Sequence, residues 1–564
     1  MPTITFQPVL RDIKDILKSD YYEIPRFQRP YSWGQENLDE FWTDVVDSND
    51  DGYFIGPMVA FQTQRDTFPI VDGQQRITTL TLMLCALRDM FVGIGRTDLA
   101  DGVTKYIERT DDDNIDHFVL KSEPAGTFLA SQVQMRAPRT VVQPANEDQT
   151  NIKRAFADIT TRLSEERPAV AGGVRLEDDH DYVIRLKRIR DRVLSLQVIW
   201  IVLDNVDDAY MIFETLNSRG RDLDVVDLLK NLLMSQLKAE NGDLDLPAEQ
   251  WQVMRETLAE AGNGVNPNTY ILHWWLSRNA YVSERKLFRR IKADKFGGMS
   301  TEDTIKALVD DAALYARIAN PNGWSCLAEE LGVKESLVAL EIFAVRQPRP
   351  LLLALLRAHT RGVIKLKKLR QAMTAVENFH FITTAVVGAS STGGQSQMYA
   401  RYAREVSAAA DPQTAGLIVD KLVEQLRKGI STRATFEAEF ARVLQFTEKS
   451  SRTKRLVQYT LRKMHDAAGL HTAIDHAKCN IEHVAPQSGG QPWVGMMGNL
   501  LWLDQKVNSE MDSLPFEKKR DILANYSKMF DVADIAIEPT WGQHQVQART
   551  ARLATRAYDK VWHF

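Results

Sequence analysis

The chain has 564 residues and a mass of 64.0 kDa, and 44% of its residues are apolar while 26% are charged. This composition excludes a disordered chain, a collagen and a small disulfide-stabilised scaffold, and the length predicts three or four domains. Its 70 Lys and Arg against 75 Asp and Glu give a net charge of −5. Any contact with nucleic acid must therefore be local, because the surface as a whole is not basic.

The cysteines and the apolar stretches indicate the cellular compartment. Cys85, Cys326 and Cys479 lie too far apart for a zinc ribbon or a disulfide framework, which favours a reducing environment. The N-terminus lacks the apolar core of a secretory signal, and the most apolar helical stretch, residues 77–87, is too short to span a bilayer. We therefore expect a cytoplasmic protein that makes no membrane contact.

Most of the sequence has the apolar spacing of helices, and the runs typical of strands are few and short. The predicted fold class is therefore α+β and mainly helical. The predicted strands are at residues 53–61, 68–71 and 198–203. No repeat of fixed period is present, which argues against a solenoid.

Composition changes divide the chain into three predicted regions. They are an α/β region at residues 1–240, a helical connecting region at 241–440 and a C-terminal region at 441–564. The C-terminal region contains 17 Lys and Arg and 13 Asp and Glu, so its net charge is +4, while residues 1–440 carry −9. The C-terminal region is therefore the better partner for a polyanion.

The first candidate site begins in the segment EIPRFQRPYSWG, residues 23–34, which mixes arginines with aromatic residues. Pro30, Tyr31 and Trp33 form its most compact apolar group. Aromatic rings next to guanidinium groups can stack a base and hold a phosphate. The residues alone favour a plainer interpretation, in which the rings belong to the core and the arginines to its rim.

The next motif, IVDGQQRITTL at residues 70–80, predicts a strand, a tight turn and a helix that begins near Gln74. The turn and the first helical residues are Asp72, Gly73, Gln74, Gln75 and Arg76. A glycine that allows close approach, free N–H groups at a helix start and the guanidinium of Arg76 would together bind an anion. The alternative is a hairpin-like turn in which Arg76 pairs with a neighbouring carboxylate.

Further along, IFETLNSRG at residues 212–220 places a polar turn before DLLKN at 227–231. Together with the two preceding motifs, these segments resemble the N-terminal domain of the GmrSD, SspE and BrxU group of phage-defence proteins. That domain is similar to ParB and sulfiredoxin folds, in which an Asp-Gly-Gln-Gln-Arg motif supports nucleotide binding and hydrolysis. The resemblance implies that residues 72–76 bind and hydrolyse a nucleoside triphosphate, which could be GTP, ATP or CTP. The sequence has no Walker loop.

The second candidate site lies in the C-terminal region, from NIEHVAPQS at residues 480–488 to LPFEKKRDIL at 514–523. Its candidate residues, in chain order, are Glu482, His483, Asn499, Asn508 and Lys518. An adjacent Glu and His can also be an ordinary surface pair, and Lys518 can be a solvated helix residue beside Lys519. The order resembles an HNH, or ββα-metal, nuclease, as in the domain that accompanies the N-terminal one in SspE, BrxU and fused GmrSD proteins.

This resemblance implies a role for each residue. His483 would be the general base, and Asn499 would orient its imidazole through a hydrogen bond. Glu482 and Asn508 would hold a metal ion, and Lys518 would hold a phosphate oxygen or the leaving group. Oxygen ligands without a cysteine point to Mg²⁺, with Mn²⁺ as a substitute.

The predicted helix at residues 453–467 has a basic face, made of Lys454, Arg455, Arg462 and Lys463. This face could steer DNA toward the nuclease. The residues alone favour an ordinary solvated face.

The leading hypothesis is a type IV-like, modification-dependent DNA endonuclease of antiphage defence, which nicks DNA or cuts both strands. Its partners would be modified DNA and a nucleotide. The sequence leaves open whether the protein forms a homo-oligomer. The apolar patch of Pro30, Tyr31 and Trp33 favours a phosphorothioate mark, because sulfur is softer and less hydrated than oxygen. DNA with hydroxymethylated or glucosylated cytosine is the alternative. The competing hypotheses are a nucleotide-gated DNA-binding adaptor with an inactive nuclease and an RNA-directed nuclease.

Overall fold

The protein is described by a computed structural model. It describes residues 8–26, 28, 30–47, 52–62, 66–111, 113–167, 180–204, 225–237, 246–262, 265–389, 393–448, 453–469, 475–511, 514–525 and 532–564. The chain divides into two compact units, Met1–Lys238 and Ala239–Phe564, so the predicted helical connecting region and the predicted C-terminal region both lie in the second unit. The motif at residues 212–220 lies outside the described residues.

The first unit combines a mixed sheet with helices. Its strands are β1 Val9–Asp12, β2 Tyr21–Ile24, β3 Phe54–Phe61, β4 Thr67–Asp72, β5 Glu108–Thr110, β6 Asp116–Phe118, β7 Leu120–Ser122 and β8 Gln197–Leu203. Its helices are α1 Ile13–Ser19, α2 Gln35–Trp42, α3 Gln74–Gly93, α4 Thr97–Thr104, α5 Thr127–Leu129, α6 Glu147–Glu165, α7 His180–Ser195 and α8 Val225–Gln236. The three predicted strands are confirmed as β3, β4 and β8.

Six of these strands form one sheet in the order β1-β8-β3-β4-β2-β7, and β5 pairs with β6. The pairs β1–β8 and β3–β4 are antiparallel, whereas β3–β8, β2–β4 and β2–β7 are parallel. Helix α3 is the central helix of this unit, since its residues are apolar on almost every face and most of them are buried. Arg88, also buried on α3, donates to the carbonyl oxygens of Val133, Gln134 and Met135, and its charge is paired with Asp89 at 2.9 Å.

The second unit is mainly helical, which confirms the predicted fold class for the described chain. Its helices before the hairpin are α9 Leu246–Glu260, α10 Pro267–Leu276, α11 Leu287–Ala293, α12 Lys295–Gly298, α13 Thr301–Ala319, α14 Leu331–Ile342, α15 Arg349–Thr360, α16 Leu366–His380, α17 Gly393–Ala408, α18 Pro412–Lys428, α19 Arg433–Val443 and α20 Lys454–Ala467. Helix α20 confirms the helix predicted at residues 453–467. Within the described ranges, no helix has both the length and the apolar composition that crossing a membrane requires.

A two-stranded antiparallel hairpin follows, made of β9 Cys479–His483 and β10 Leu500–Asp504. The last helices are α21 Gln505–Met511, α22 Phe516–Ala524, α23 Ala533–Ala536 and α24 Gln543–Arg556. Helix α21 packs against both strands. Asn508 lies inside α21 and precedes α22, the helix that begins at Phe516. Helix α21 starts directly after β10, where Asp504 accepts a hydrogen bond from the N–H of Lys506.

Helix α24 braces the turn that leads into β10. A Cβ atom at Gly498 would come within 2.0 Å of the carbonyl oxygen of Val546, so only glycine allows the helix to pack this closely. Thr550 accepts a hydrogen bond from the N–H of Gly498, and Arg549 donates to the carbonyl oxygens of Gly498 and Leu500. The start of β10 is thus held by a helix about 50 residues later in the chain.

Candidate functional site

The predicted strand, turn and helix of the N-terminal motif are confirmed. Strand β4 ends at Asp72, Gly73 adopts a left-handed conformation with a φ of +99°, and α3 begins at Gln74. A Cβ atom at Gly73 would lie 2.7 Å from Cγ of Met58, so both the backbone conformation and the packing require glycine here. The backbone N–H groups at the start of α3 therefore follow directly on the turn.

The side chain of Arg76 is held within the protein. It donates to the carbonyl oxygen of Ile55 at 2.7 Å and pairs with Asp72 at 3.3 Å. A Cβ atom at Gly56 would lie 2.5 Å from Nη1 of Arg76, so the glycine makes room for the guanidinium. The sequence left two interpretations open, an anion site or a pairing of Arg76 with a neighbouring carboxylate. The observed contacts are those of the second interpretation. Burial lowers the pKa of Arg76, and the charge of Asp72 opposes that effect.

The two predicted N-terminal segments are joined by Gln75. Its amide donates to the carbonyl oxygen of Pro30 at 3.1 Å and accepts from the N–H of Ser32 at 2.8 Å. Gln74, the next residue toward the N-terminus, is buried, with 7% of its surface exposed. The structure thus brings the aromatic segment directly against residues 72–76, as the sequence expected for one site.

The predicted apolar patch is only partly available to a ligand. Tyr31 is 3% exposed, and its hydroxyl forms a 2.8 Å hydrogen bond with Thr79. Trp33 is half-buried and packs against Phe41, and Pro30 is half-buried as well. Tyr31 is therefore a core residue, as the plainer interpretation holds for the aromatic rings, while Pro30 and Trp33 keep exposed surface.

In the second unit, His483 ends β9 and is buried, with 5% of its surface exposed. Its Nε2 lies 3.0 Å from the carbonyl oxygen of Phe446, and its Nδ1 lies 3.2 Å from the amide nitrogen of Gln487. A carbonyl oxygen can only accept, so Nε2 carries the proton and Nδ1 keeps its lone pair. Burial lowers the pKa of His483, and the nearby charge of Lys519 acts in the same direction. The imidazole is thereby kept neutral.

Glu482, next to His483, is paired with Lys519 and not with Lys518. The ammonium of Lys519 lies 2.6 Å from Oε1 of Glu482 and 2.8 Å from the carbonyl oxygen of His483, and its side chain is 1% exposed. Lys518 is exposed on the other side of α22. Phe516 stacks on Trp541, and a residue three positions later lies on the same helix face, which is the position of Lys519. The sequence alone did not separate Lys519 from Lys518, because the contact with Trp541 that marks the buried face of α22 comes from outside the helix.

Asn499 fixes the loop after β9 and not the imidazole. Its amide oxygen accepts from the N–H of Ala485 at 2.8 Å and from the indole of Trp541 at 3.0 Å. Its amide nitrogen donates to the carbonyl oxygens of Ala485 and Val494. The predicted hydrogen bond to His483 is therefore wrong, because both ends of the Asn499 amide are used by other groups.

Glu482 and Asn508 are the residues that the resemblance predicts as ligands of a divalent metal ion. Glu482 lies on β9 and Asn508 lies half-buried on α21, the helix that packs against this strand. A carboxylate has about four lone-pair positions, so the bond from Lys519 leaves acceptor capacity on Glu482. A carboxylate and an amide oxygen are hard ligands of the type that Mg²⁺ and Mn²⁺ take. The donor set therefore fits the predicted metal in chemical type.

A second group of potential ligands, His465, Asp466 and His476, lies nearby with ligand atoms within 4.8 Å of one another. The indole of Trp502 donates to Nδ1 of His476 at 3.0 Å, so the proton of this imidazole is on Nε2. Nε2 in turn donates to Asp466 at 2.8 Å. A nitrogen that carries a proton cannot bind a metal, and this bonding is that of a structural histidine.

Comparison with protein families identifies both ends of the chain. The family model described as GmrSD restriction endonuclease, N-terminal domain, matches residues 12–234. The model described as GmrSD restriction endonucleases, C-terminal domain, matches residues 434–556. Together they match more than half of the chain, in the order N-terminal before C-terminal. No curated protein matches the sequence.

The geometry predicts different consequences for the two adjacent lysines. Lys519→Met should lower the free energy of unfolding by about 3 kcal/mol, because it leaves the carboxylate of Glu482 without its buried cation. Lys518→Met, the matched control, should change it by less than about 0.5 kcal/mol. Urea unfolding followed by tryptophan fluorescence measures both. Equal effects of the two substitutions would contradict the assignment of Lys519 to the site.

Proposed function

Because this chain belongs to the GmrSD restriction endonuclease family, we propose that it is a type IV-like, modification-dependent DNA endonuclease of antiphage defence. In this proposal the C-terminal domain cuts DNA, and the N-terminal domain senses a nucleotide and the modified DNA. The observation that carries the cutting activity is the neutral, buried His483 beside Glu482, on a strand hairpin followed directly by a helix. This ββα arrangement supports an HNH-type nuclease.

His483 acts as the general base in the proposed reaction. Its Nε2–H is anchored on the carbonyl oxygen of Phe446, which leaves the lone pair of Nδ1 to take a proton from water. The amide of Gln487 points its nitrogen at Nδ1 because its oxygen accepts from the N–H of Glu448 at 2.8 Å. The attacking water then takes the place of the Gln487 amide at Nδ1.

Glu482 and Asn508 hold Mg²⁺ or Mn²⁺ in this proposal. The ion supplies positive charge for the scissile phosphate and the leaving oxygen. Lys519 keeps the Glu482 carboxylate and the end of β9 in place, so it is a positioning residue. Asn499 positions the chain that follows His483 through its two bonds to Ala485. Lys518 is exposed and can reach a phosphate only from the surface of α22.

Residues 72–76 are the proposed site of NTP binding and hydrolysis. The support is the strand-turn-helix geometry, in which the N–H groups at the start of α3 follow directly on the left-handed turn at Gly73, a type of helix start that suits an anion. Arg76 and Gln75 are already bonded within the protein, so a triphosphate must exchange some of these bonds for its own. GTP, ATP and CTP are equally compatible with this geometry.

DNA that carries a chemical mark is the proposed substrate. Pro30 and Trp33 retain apolar surface next to the nucleotide motif, which keeps phosphorothioate DNA as the first mark to test. The burial of Tyr31 makes this patch smaller than the sequence suggested. Hydroxymethylated and glucosylated cytosine are the alternative marks.

The first prediction concerns His483. Incubated with modified plasmid DNA and Mg²⁺ or Mn²⁺, the His483→Ala variant should lose cleavage by a factor of 10² or more, because it lacks the general base. His544→Ala, which alters an exposed histidine in the same unit, should cut like the wild type. Cleavage by the wild type should persist below pH 6.5, the ordinary imidazole pKa, because burial lowers the pKa of His483.

The outcomes of the same assay separate the competing hypotheses. DNA binding without cutting in either metal would support an adaptor with an inactive nuclease. Cutting of RNA in preference to DNA would support an RNA-directed nuclease. Continued cutting by His483→Ala would show that another group is the base.

The second prediction concerns Arg76. Arg76→Ala should slow NTP hydrolysis at least tenfold and should lower the free energy of unfolding by only about 1 kcal/mol, since it removes one hydrogen bond and one ion pair. Arg96→Ala removes an exposed Arg96–Asp98 pair in the same unit and serves as the control. Phosphate release assays with GTP, ATP and CTP measure the rates. Unchanged hydrolysis in Arg76→Ala would move the nucleotide site elsewhere.

The third prediction concerns the mark. The protein should bind a phosphorothioate duplex more tightly than a plain duplex of the same sequence, and Trp33→Ala should reduce this difference because Trp33 keeps exposed apolar surface. Tyr31→Phe should leave the difference unchanged, since the Tyr31 hydroxyl is bonded to Thr79 inside the core. Fluorescence anisotropy with matched duplexes measures the affinities. Equal affinity for plain, phosphorothioate and glucosylated duplexes would remove the sensing function.

A further inference from the structure

Three of the four basic side chains on the basic face of α20 pair with glutamates of the helical part of the same unit. Arg462 lies 2.6 Å from Glu335, and Arg455 lies 3.4 Å from Glu341, both on α14. Lys463 lies 2.7 Å from Glu377 on α16. The face thus keeps much of the solvent exposure that the residues alone favoured, while three of its four basic side chains are paired with carboxylates.

These pairs are of two kinds. Glu377 is fully buried and also accepts hydrogen bonds from Tyr459 and Ser336, so the Lys463 pair is a permanent part of the core. The side chains of Arg455 and Arg462, by contrast, are 64% and 43% exposed. An exposed pair of this kind contributes at most about 1 kcal/mol, so a stronger anion can take the arginine from the glutamate.

The outer arginines lie beside the candidate nuclease hairpin. Arg455, Arg462 and Glu335 line a cavity of about 610 Å³ whose wall also includes Asn480 and Trp502 of the hairpin. Trp502 pairs with Ile481, and Ile481 and His483 lie on the same face of β9, about 7 Å apart along the strand. An anion at the two arginines would thus be close enough to belong to a polymer that also reaches His483.

We propose that Arg455 and Arg462 are contacts for the phosphate backbone of the substrate DNA, and that Glu335 and Glu341 occupy them until DNA arrives. The two arginines are seven residues apart on α20, which separates them by about 10 Å along the helix axis. Phosphates three nucleotides apart on one strand have a similar axial separation. The glutamates therefore act as an internal competitor of DNA, and this inference rests on the proposed nuclease function.

The strength of the glutamate–arginine pairs determines how much DNA affinity rises when the glutamates are neutralised. The pairs with Glu335 and Glu341 must be broken when DNA binds, and each contributes about 0.2–1 kcal/mol. Arg462 also lies 3.8 Å from Asp466 on the same helix, and this pair is present in wild type and variant alike. The Glu335→Gln/Glu341→Gln variant should therefore bind DNA about two- to thirtyfold more tightly than the wild type. It should also cut DNA faster when the DNA concentration is below saturation.

The arginines are tested by the salt dependence of binding. The Arg455→Gln/Arg462→Gln variant should weaken binding to every duplex, and the slope of log K against log salt should become shallower by about two, since two phosphate contacts are lost. The charge-preserving variant Arg455→Lys/Arg462→Lys should keep the wild-type slope. A slope that is unchanged in the glutamine variant would overturn the proposal.

A double-mutant cycle separates local competition from a general change of charge. If the glutamates compete for these arginines, the gain from Glu335→Gln/Glu341→Gln should disappear in the arginine-to-glutamine background. Glu424→Gln, which removes a carboxylate paired with Arg427 elsewhere in the unit, should produce no gain. A gain that persists without the arginines, or that Glu424→Gln reproduces, would overturn the proposal.

The same measurements distinguish failure of the inference from failure of the proposed function. Wild-type protein that neither binds nor cuts any duplex, plain or modified, with Mg²⁺ or Mn²⁺ would refute both the nuclease function and this inference. Wild-type protein that binds and cuts DNA while all four arginine and glutamate substitutions leave binding unchanged would refute the inference alone.

Discussion

A single buried ammonium group sets the geometry of the candidate nuclease site. Lys519 reaches from α22 to the carboxylate of Glu482 and to the carbonyl oxygen of His483, and it does so with almost no exposed surface. A buried cation is tolerated only where its donors are satisfied by nearby anions and carbonyl groups. The helix and the end of β9 are therefore fixed relative to each other, and the two residues with proposed chemical roles are fixed with them.

The proposed binding groups of both units are already bonded within the protein. Arg76 is held by Asp72 and a carbonyl oxygen, Glu482 by Lys519, and the outer arginines of α20 by glutamates. A ligand at any of these positions gains only the difference between its own contacts and those it replaces. Such sites discriminate against weak or incomplete ligands, which suits an enzyme that must leave the DNA of its own cell intact.

The sequence predicted the parts of the fold that depend on neighbouring residues. The strand, turn and helix around Gly73 follow from a local pattern, and so do β8 and α20. The choice between Lys518 and Lys519 depends on the rotational phase of α22, which is set by the stacking of Phe516 on Trp541, a residue outside that helix. The glutamates that pair with α20 are about 80 to 130 residues away in the chain, so no local pattern could indicate them.

The sequence could not indicate the hydrogen-bond partners of Asn499 either, because one of them, the indole of Trp541, is distant in the chain. The close approach of α24 to Gly498 extends this dependence to the last part of the chain. During synthesis, the hairpin leaves the ribosome before α24, so the turn into β10 gains the contacts of Arg549 and Thr550 only once that helix has been made.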